Sequence, residues 1–90
     1  MMNMDWKKYS FVIRSKIRQD IVKALQSEKT PSDLKKELKK EDSNISRALR
    51  ELQNEGIINC LTPKEKKGKI YTLSKSGHDV YEKLKIDNVG

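Results

Sequence analysis

Soft metal ligands are almost missing from this 90-residue chain, which has one cysteine, Cys60, and one histidine, His78. No internal disulfide can form, and two such side chains so far apart in sequence do not make a zinc or copper site within one protomer. Only a site shared between two protomers would gather enough ligands, so no metal or other cofactor is expected. Cys60 reads as a small hydrophobe in a strand, and His78, beside Gly77, as a surface residue. Long apolar runs are missing too. Nothing in the sequence is long and apolar enough to cross a bilayer, and the stretch from Met1 to Trp6 lacks the apolar core of a secretory signal, so no membrane partner is expected and the protein is read as cytoplasmic. Internal repeats and low-complexity tracts are absent. No acid/base pair, nucleophile with its partner or phosphate loop is present, so the chain is not read as an enzyme. With 34% apolar residues there is material for one modest core. A single domain over residues 1–90 is expected, frayed at 1–5 and 87–90.

What the chain has in excess is positive charge. Twenty Lys and Arg against thirteen Asp and Glu leave +7, which favours a polyanionic partner. The surplus is localised: residues 1–29 carry seven basic and three acidic side chains and residues 62–69 carry four and one, whereas residues 70–90 balance at three and three.

Residues 43–55 are the most informative stretch. On a 100° wheel Ile45, Ala48, Leu49 and Leu52 fall on one side, and Ser43, Arg47, Arg50 and Asn54 gather on the other. Such a helix can anchor on a core and leave two guanidinium forks and several short polar groups outside. Asp42 or Ser43 is expected to cap it, and Gly56 suits the position just beyond its end, where a left-handed backbone costs least.

The flanking sequence supplies context. One helix is expected to begin between Asp5 and Ser10 and end near Gln26, with Ile13, Ile17, Ile21, Ala24 and Leu25 forming its inward stripe. Thr30-Pro31-Ser32-Asp33 is a helix start with Thr30 as cap and Pro31 at the first position, leading to about Lys40 with Leu34 and Leu38 inward. Lys35, Lys36, Lys39 and Lys40 point outward, and the first three can hold flanking phosphates or simply be solvated. Runs 57–62 and 69–73 flank Pro63 and Gly68, which predicts an antiparallel hairpin with a lysine-rich tip at 63–69. Ser74 should cap a last helix in which Gly77, Val80, Tyr81 and Leu84 share a face.

The order helix, helix, helix, hairpin, helix resembles the winged helix-turn-helix architecture of small bacterial and archaeal regulators of the MarR and ArsR type. Three stretches carry the likeness: Ile45-Ser46-Arg47-Ala48-Leu49-Arg50-Glu51-Leu52 with Gly56-Ile57-Ile58; Cys60-Leu61-Thr62-Pro63 with Lys67-Gly68-Lys69-Ile70-Tyr71; and Tyr71-Thr72-Leu73-Ser74-Lys75-Ser76-Gly77. Together they look most like small archaeal winged-helix regulators, over roughly Ser10 to Leu84. The resemblance implies a mostly α fold with a small β-hairpin, in the order α1-α2-α3-β-wing-β-α4. ArsR-type metal sensors carry a cysteine pair near the recognition helix. This chain has none there, so metal sensing is not carried over. It also has no room for the additional terminal helices that build the dimer and ligand pocket of MarR-type proteins, so the resemblance leaves a small-molecule effector unknown.

The expected activity is sequence-specific binding of double-stranded DNA by a transcriptional regulator. Helix 43–55 would enter the major groove, with Arg47 and Arg50 on base edges, each contributing about 1–3 kcal/mol of discrimination. Ser43, Asn44 and Ser46 at the helix start would reach phosphates or bases. Lys64, Lys66, Lys67 and Lys69 on the wing would follow the flanking backbone or minor groove. One domain with so few base contacts would bind weakly, so a homodimer reading two half-sites is expected, joined through the first helix with Trp6 and Tyr9 or the last with Tyr81, Leu84 and Ile86. The alternative is a winged-helix protein–protein interaction module of transcription or replication machinery.

Overall fold

The structure is a computed structural model that describes residues 5–66 and 68–87, Asp87 by its backbone alone. Its elements are α1 (Trp6–Ile13), α2 (Lys16–Ala24), α3 (Pro31–Leu38), α4 (Asp42–Asn54), β1 (Ile58–Cys60), β2 (Tyr71–Leu73) and α5 (Lys75–Asp87). Met1 to Met4, Lys67 and residues 88–90, which include most of the stretches expected to fray, lie outside the described residues. The Asp5 carboxylate caps α1 by accepting from the amides of Lys7 and Lys8.

The first helix expected from sequence is two helices. Ser15 leaves the helical region at φ −139°, ψ 124°, and its hydroxyl accepts from the Arg18 amide to start α2. Side chains of α2 then satisfy the carbonyls left over at the end of α1. Arg18 donates to the Phe11 carbonyl at 2.8 Å, and Gln19 donates to the Ile13 carbonyl at 3.1 Å. The break shifts the helical phase, so Val12 is fully buried and Ile13, expected inward, is 43% exposed.

α3 begins as the sequence predicts. Thr30 and Asp33 form a reciprocal capping box, 3.1 Å in both directions, with Pro31 at the first position. It ends earlier than expected, because Lys39 adopts a left-handed backbone at φ 56°. The cap of α4 is also different: Glu41 occupies that position without a side-chain bond, and Asp42 is the first helical residue. The Asp42 carboxylate is held instead by Lys35 at 3.1 Å, which leaves a negative charge in the first turn where the helix dipole favours it.

β1 and β2 pair antiparallel with Ile58 opposite Leu73, Asn59 opposite Thr72 and Cys60 opposite Tyr71. The strands are shorter than expected, but Leu61 N–H to the Ile70 carbonyl and Ile70 N–H to the Thr62 hydroxyl continue the association outward. On the other edge of β2, Tyr71 exchanges both backbone bonds with Lys29, at 2.8 and 3.0 Å, which ties the α2–α3 connection to the hairpin. Ser74 caps α5 through the Gly77 amide and also donates to the Ile57 carbonyl. The core runs through all the helices and β1, from Val12, Ile21, Leu25 and Leu34 to Ile45, Leu52, Ile57, Val80 and Leu84.

Candidate nucleic-acid interface

The buried face of α4 comprises Ile45, Ala48, Leu49 and Leu52, as the helical wheel requires, and this fixes which residues face outward. Ser43, Asn44, Ser46, Arg47 and Arg50 are all exposed. Three cations from other elements hold the helix in place. Lys35 takes Asp42 at its start; Arg18 reaches Glu51 at 3.1 and 3.3 Å while lying over the Phe11 ring, 3.8 Å from its centroid. Lys8 donates to the carbonyl of Glu55, one of those left unpaired at the helix C-terminus, beside the left-handed Gly56.

The outer face of α4 divides into two flanks, each walling an open groove. On the α2 side, Asn44 and Arg47 line a groove of about 300 Å³ with Ser15, Arg18, Lys40 and Glu51. On the wing side, Ser46, Arg50 and Gln53 line one of about 390 Å³ with Lys66, Lys69 and Tyr71. The structure therefore brings Ser46, Arg50, Lys66 and Lys69 together, and separates them from Asn44 and Arg47. Ser43 is exposed and lines neither groove. Lys64 is exposed in a turn closed by Glu65 N–H to the Thr62 carbonyl at 3.1 Å, and also lines neither. Lys67 lies outside the described residues.

Among the described residues no carboxylate lines the wing groove, whereas the α2 groove contains Glu51. Burial pushes the Tyr71 phenol in the wing groove above its ordinary pKa, and cross-strand Cys60 adds to the rise, so the ring contributes no negative charge near neutrality. Lys35, Lys36, Lys39 and Lys40 surround a shallow depression at the α3–α4 connection together with Ser32 and Glu41. Sequence reading missed Gln53 and Arg18, and had Lys40 facing outward without a role in the α2 groove. Gln53 was within reach of the wheel, one turn beyond Arg50 and two beyond Ser46; no local signal marks Arg18, whose partners lie in α1 and α4.

Four helices that include a helix-turn-helix pair, a two-stranded wing and a closing fifth helix define the class: this is a small winged-helix regulator. Residues 6–84 match the sequence pattern of the N-terminal domain of the methanogenesis regulatory protein FilR1, and the chain belongs to that family. Among solved structures it is similar to reduced HlyU from Vibrio cholerae N16961, with a TM-score of 0.78 and 23% identity over 93% of this chain and 88% of that one. It is similar to the MarR family transcription regulator SP03579, with a TM-score of 0.75 and 23% identity over 90% of this chain, which spans 56% of that protein. The reduced form of MarR from E. coli aligns with a TM-score of 0.70 and 22% identity, over 94% of this chain and 71% of that one. At these identities the likenesses establish the fold. A comparison with curated protein sequences finds no match. No helix among the described residues is long and apolar enough to cross a membrane.

Proposed function

We propose that the chain binds double-stranded DNA as a sequence-specific transcriptional regulator, with α4 in the major groove and the wing on the flanking backbone or minor groove. The observation that carries this reading is the meeting of α4 and the wing in a groove that bears Arg50, Lys66 and Lys69 and, among the described residues, no carboxylate. A protein-interaction surface has no need of cations concentrated in this way, since interface cores are depleted in Lys. Ser43, Asn44 and Ser46 offer short donors at the helix start, where the dipole attracts phosphate. Arg47 and Arg50 supply the planar forks, and Lys64, Lys66, Lys67 and Lys69 the wing charges.

The binding unit is a homodimer. Trp6 and Ile86 are 61% and 65% exposed, and the Lys83 ammonium lies 5.5 Å from the Trp6 ring centroid. The two candidate dimer helices, α1 and α5, thus pack side by side, and each exposes a large apolar side chain that a second copy would cover.

Electrophoretic mobility shift against random-sequence duplex DNA over a salt series tests the reading. Four to six phosphate contacts give a log–log slope of roughly −4 to −5. Failure to shift any duplex at low salt overturns it.

A further inference from the structure

The two arginines of α4 do not face the same surroundings. Three residues apart, they are turned about 60° from each other around the helix axis. Arg47 shares its flank with Asn44, Lys40 and the paired Arg18 and Glu51; Arg50 shares its flank with Ser46, Gln53 and the wing lysines. A phosphate approaching Arg47 would meet Lys40 and the Arg18–Glu51 pair, so one carboxylate stands in that groove. A phosphate approaching Arg50 would meet cations, the hydroxyl of Ser46 and the amide of Gln53. Among the described residues, neither Arg50 nor Lys66 nor Lys69 makes an ion pair.

We infer that the groove between α4 and the wing seats one sugar–phosphate strand of duplex DNA, with Arg50, Lys66 and Lys69 on its phosphates, and that Arg50 is a backbone contact and not a base reader. The inference rests on the DNA-binding reading and assigns the charges within it. It also follows from the shape of the duplex. A helix in the major groove and a wing reaching for the minor groove are separated by one backbone strand, and the surface between them is this groove. Its α4 wall from Ser46 to Gln53 runs about 10.5 Å, enough to accompany about three nucleotides at 3.4 Å each along the axis. Arg47, on the other flank, is then the arginine left to face base edges, beside Asn44, whose amide suits adenine.

Salt dependence separates the two roles, because releasing counterions registers a phosphate contact and not a base contact. Affinity for a random-sequence duplex would be measured from low to moderate salt for the native chain and for Arg50→Ala, Arg50→Lys, Arg47→Ala and Lys66→Ala/Lys69→Ala. Arg50→Ala is expected to make the slope shallower by about 0.9, so that a tenfold rise in salt costs about eightfold less affinity than in the native chain. Arg50→Lys keeps the charge and is expected to keep the native slope, Arg47→Ala likewise, and the double lysine variant to lose about 1.8. A native slope in Arg50→Ala, or a slope lost in Arg47→Ala but not in Arg50→Ala, overturns the assignment while leaving DNA binding intact. A native chain that binds no duplex overturns the DNA-binding reading itself and is seen before any variant is compared.

Discussion

Gly77 and Ile57 touch so closely that a β-carbon on Gly77 would stand 2.1 Å from the Ile57 carbonyl oxygen and 3.2 Å from its carbon. The atoms in the way are backbone, held by Ser74 from both its amide and its hydroxyl, so they cannot swing aside. Alanine would improve intrinsic helix propensity by about 1 kcal/mol, and the clash outweighs it. Gly77→Ala is expected to destabilise the protein by about 3 kcal/mol, the upper end of overpacking costs, which lowers Tm by roughly 12–24 °C for a domain of this size. A thermal melt followed by circular dichroism checks this; an unchanged Tm would mean that Gly77 does not press on the Ile57 carbonyl.

Arg18 joins three elements at once: it caps the end of α1, stacks on Phe11 and holds Glu51 of α4. Removing it leaves the Phe11 carbonyl unpaired and takes away a mostly covered side chain, so Arg18→Ala is expected to cost about 1–3 kcal/mol. Glu51 is more exposed, and Glu51→Ala should cost under about 1 kcal/mol. A double-mutant cycle in urea measures the coupling, expected to be smaller than the Arg18 loss because the Phe11 contacts survive without Glu51.

The Asp33 carboxyl has a pKa below the ordinary carboxylate range, first because it accepts from the Thr30 backbone amide, then through the Thr30 side-chain bond. A lowered folded-state pKa means that the unfolded chain binds the proton more readily. The stabilisation is therefore present in full above the unfolded value, about 3.9, and is lost as pH falls through the lower folded value. The Tm difference between the native chain and Asp33→Ala should stay constant from pH 7 to pH 5 and narrow below about pH 4. A difference that persists undiminished at pH 2 would show that the carboxylate charge is not what caps α3.

Leu49 and Arg47 lie two positions apart on opposite sides of α4, and their alanine variants should behave oppositely. Leu49 is buried, and Leu49→Ala is expected to lose about 2–5 kcal/mol of stability through the cavity it leaves. Arg47 is exposed and makes no ion pair among the described residues. Arg47→Ala should keep the native Tm and lose about 1–3 kcal/mol of preference for duplexes selected from a random pool. Competition binding against bulk duplex decides the second point: equal loss on both would remove Arg47 from base reading.

The features legible in the sequence are those made by residues close together in it. Thr30, Pro31 and Asp33 specify the start of α3 within four positions, and the stripe of Ile45, Ala48, Leu49 and Leu52 specifies which way α4 faces. The division of α1 from α2 was hidden because Ser15 is a weak signal alone; what makes the break stable is Arg18 and Gln19 reaching back to carbonyls of the preceding helix. The pairing of Lys29 with Tyr71 spans more than forty residues and has no local mark. The site shows the same limit. Exposure of Arg47 and Arg50 could be read from the wheel, but which neighbours each would have depends on where α2 and the wing pack against α4.

The basic residues around α4 fall into two populations with different tasks. Lys8, Lys35 and Arg18 spend their charge inward, on a carbonyl and two carboxylates of the helix, while Arg47, Arg50, Lys66 and Lys69 carry no such partner among the described residues. Added salt screens both populations, the exposed Lys35–Asp42 pair most readily among the first. Ionic strength therefore acts on the rigidity of the helix as well as on its attraction for a polyanion, and the two effects run in the same direction. A melting curve over the same salt series, without DNA, isolates the intramolecular share.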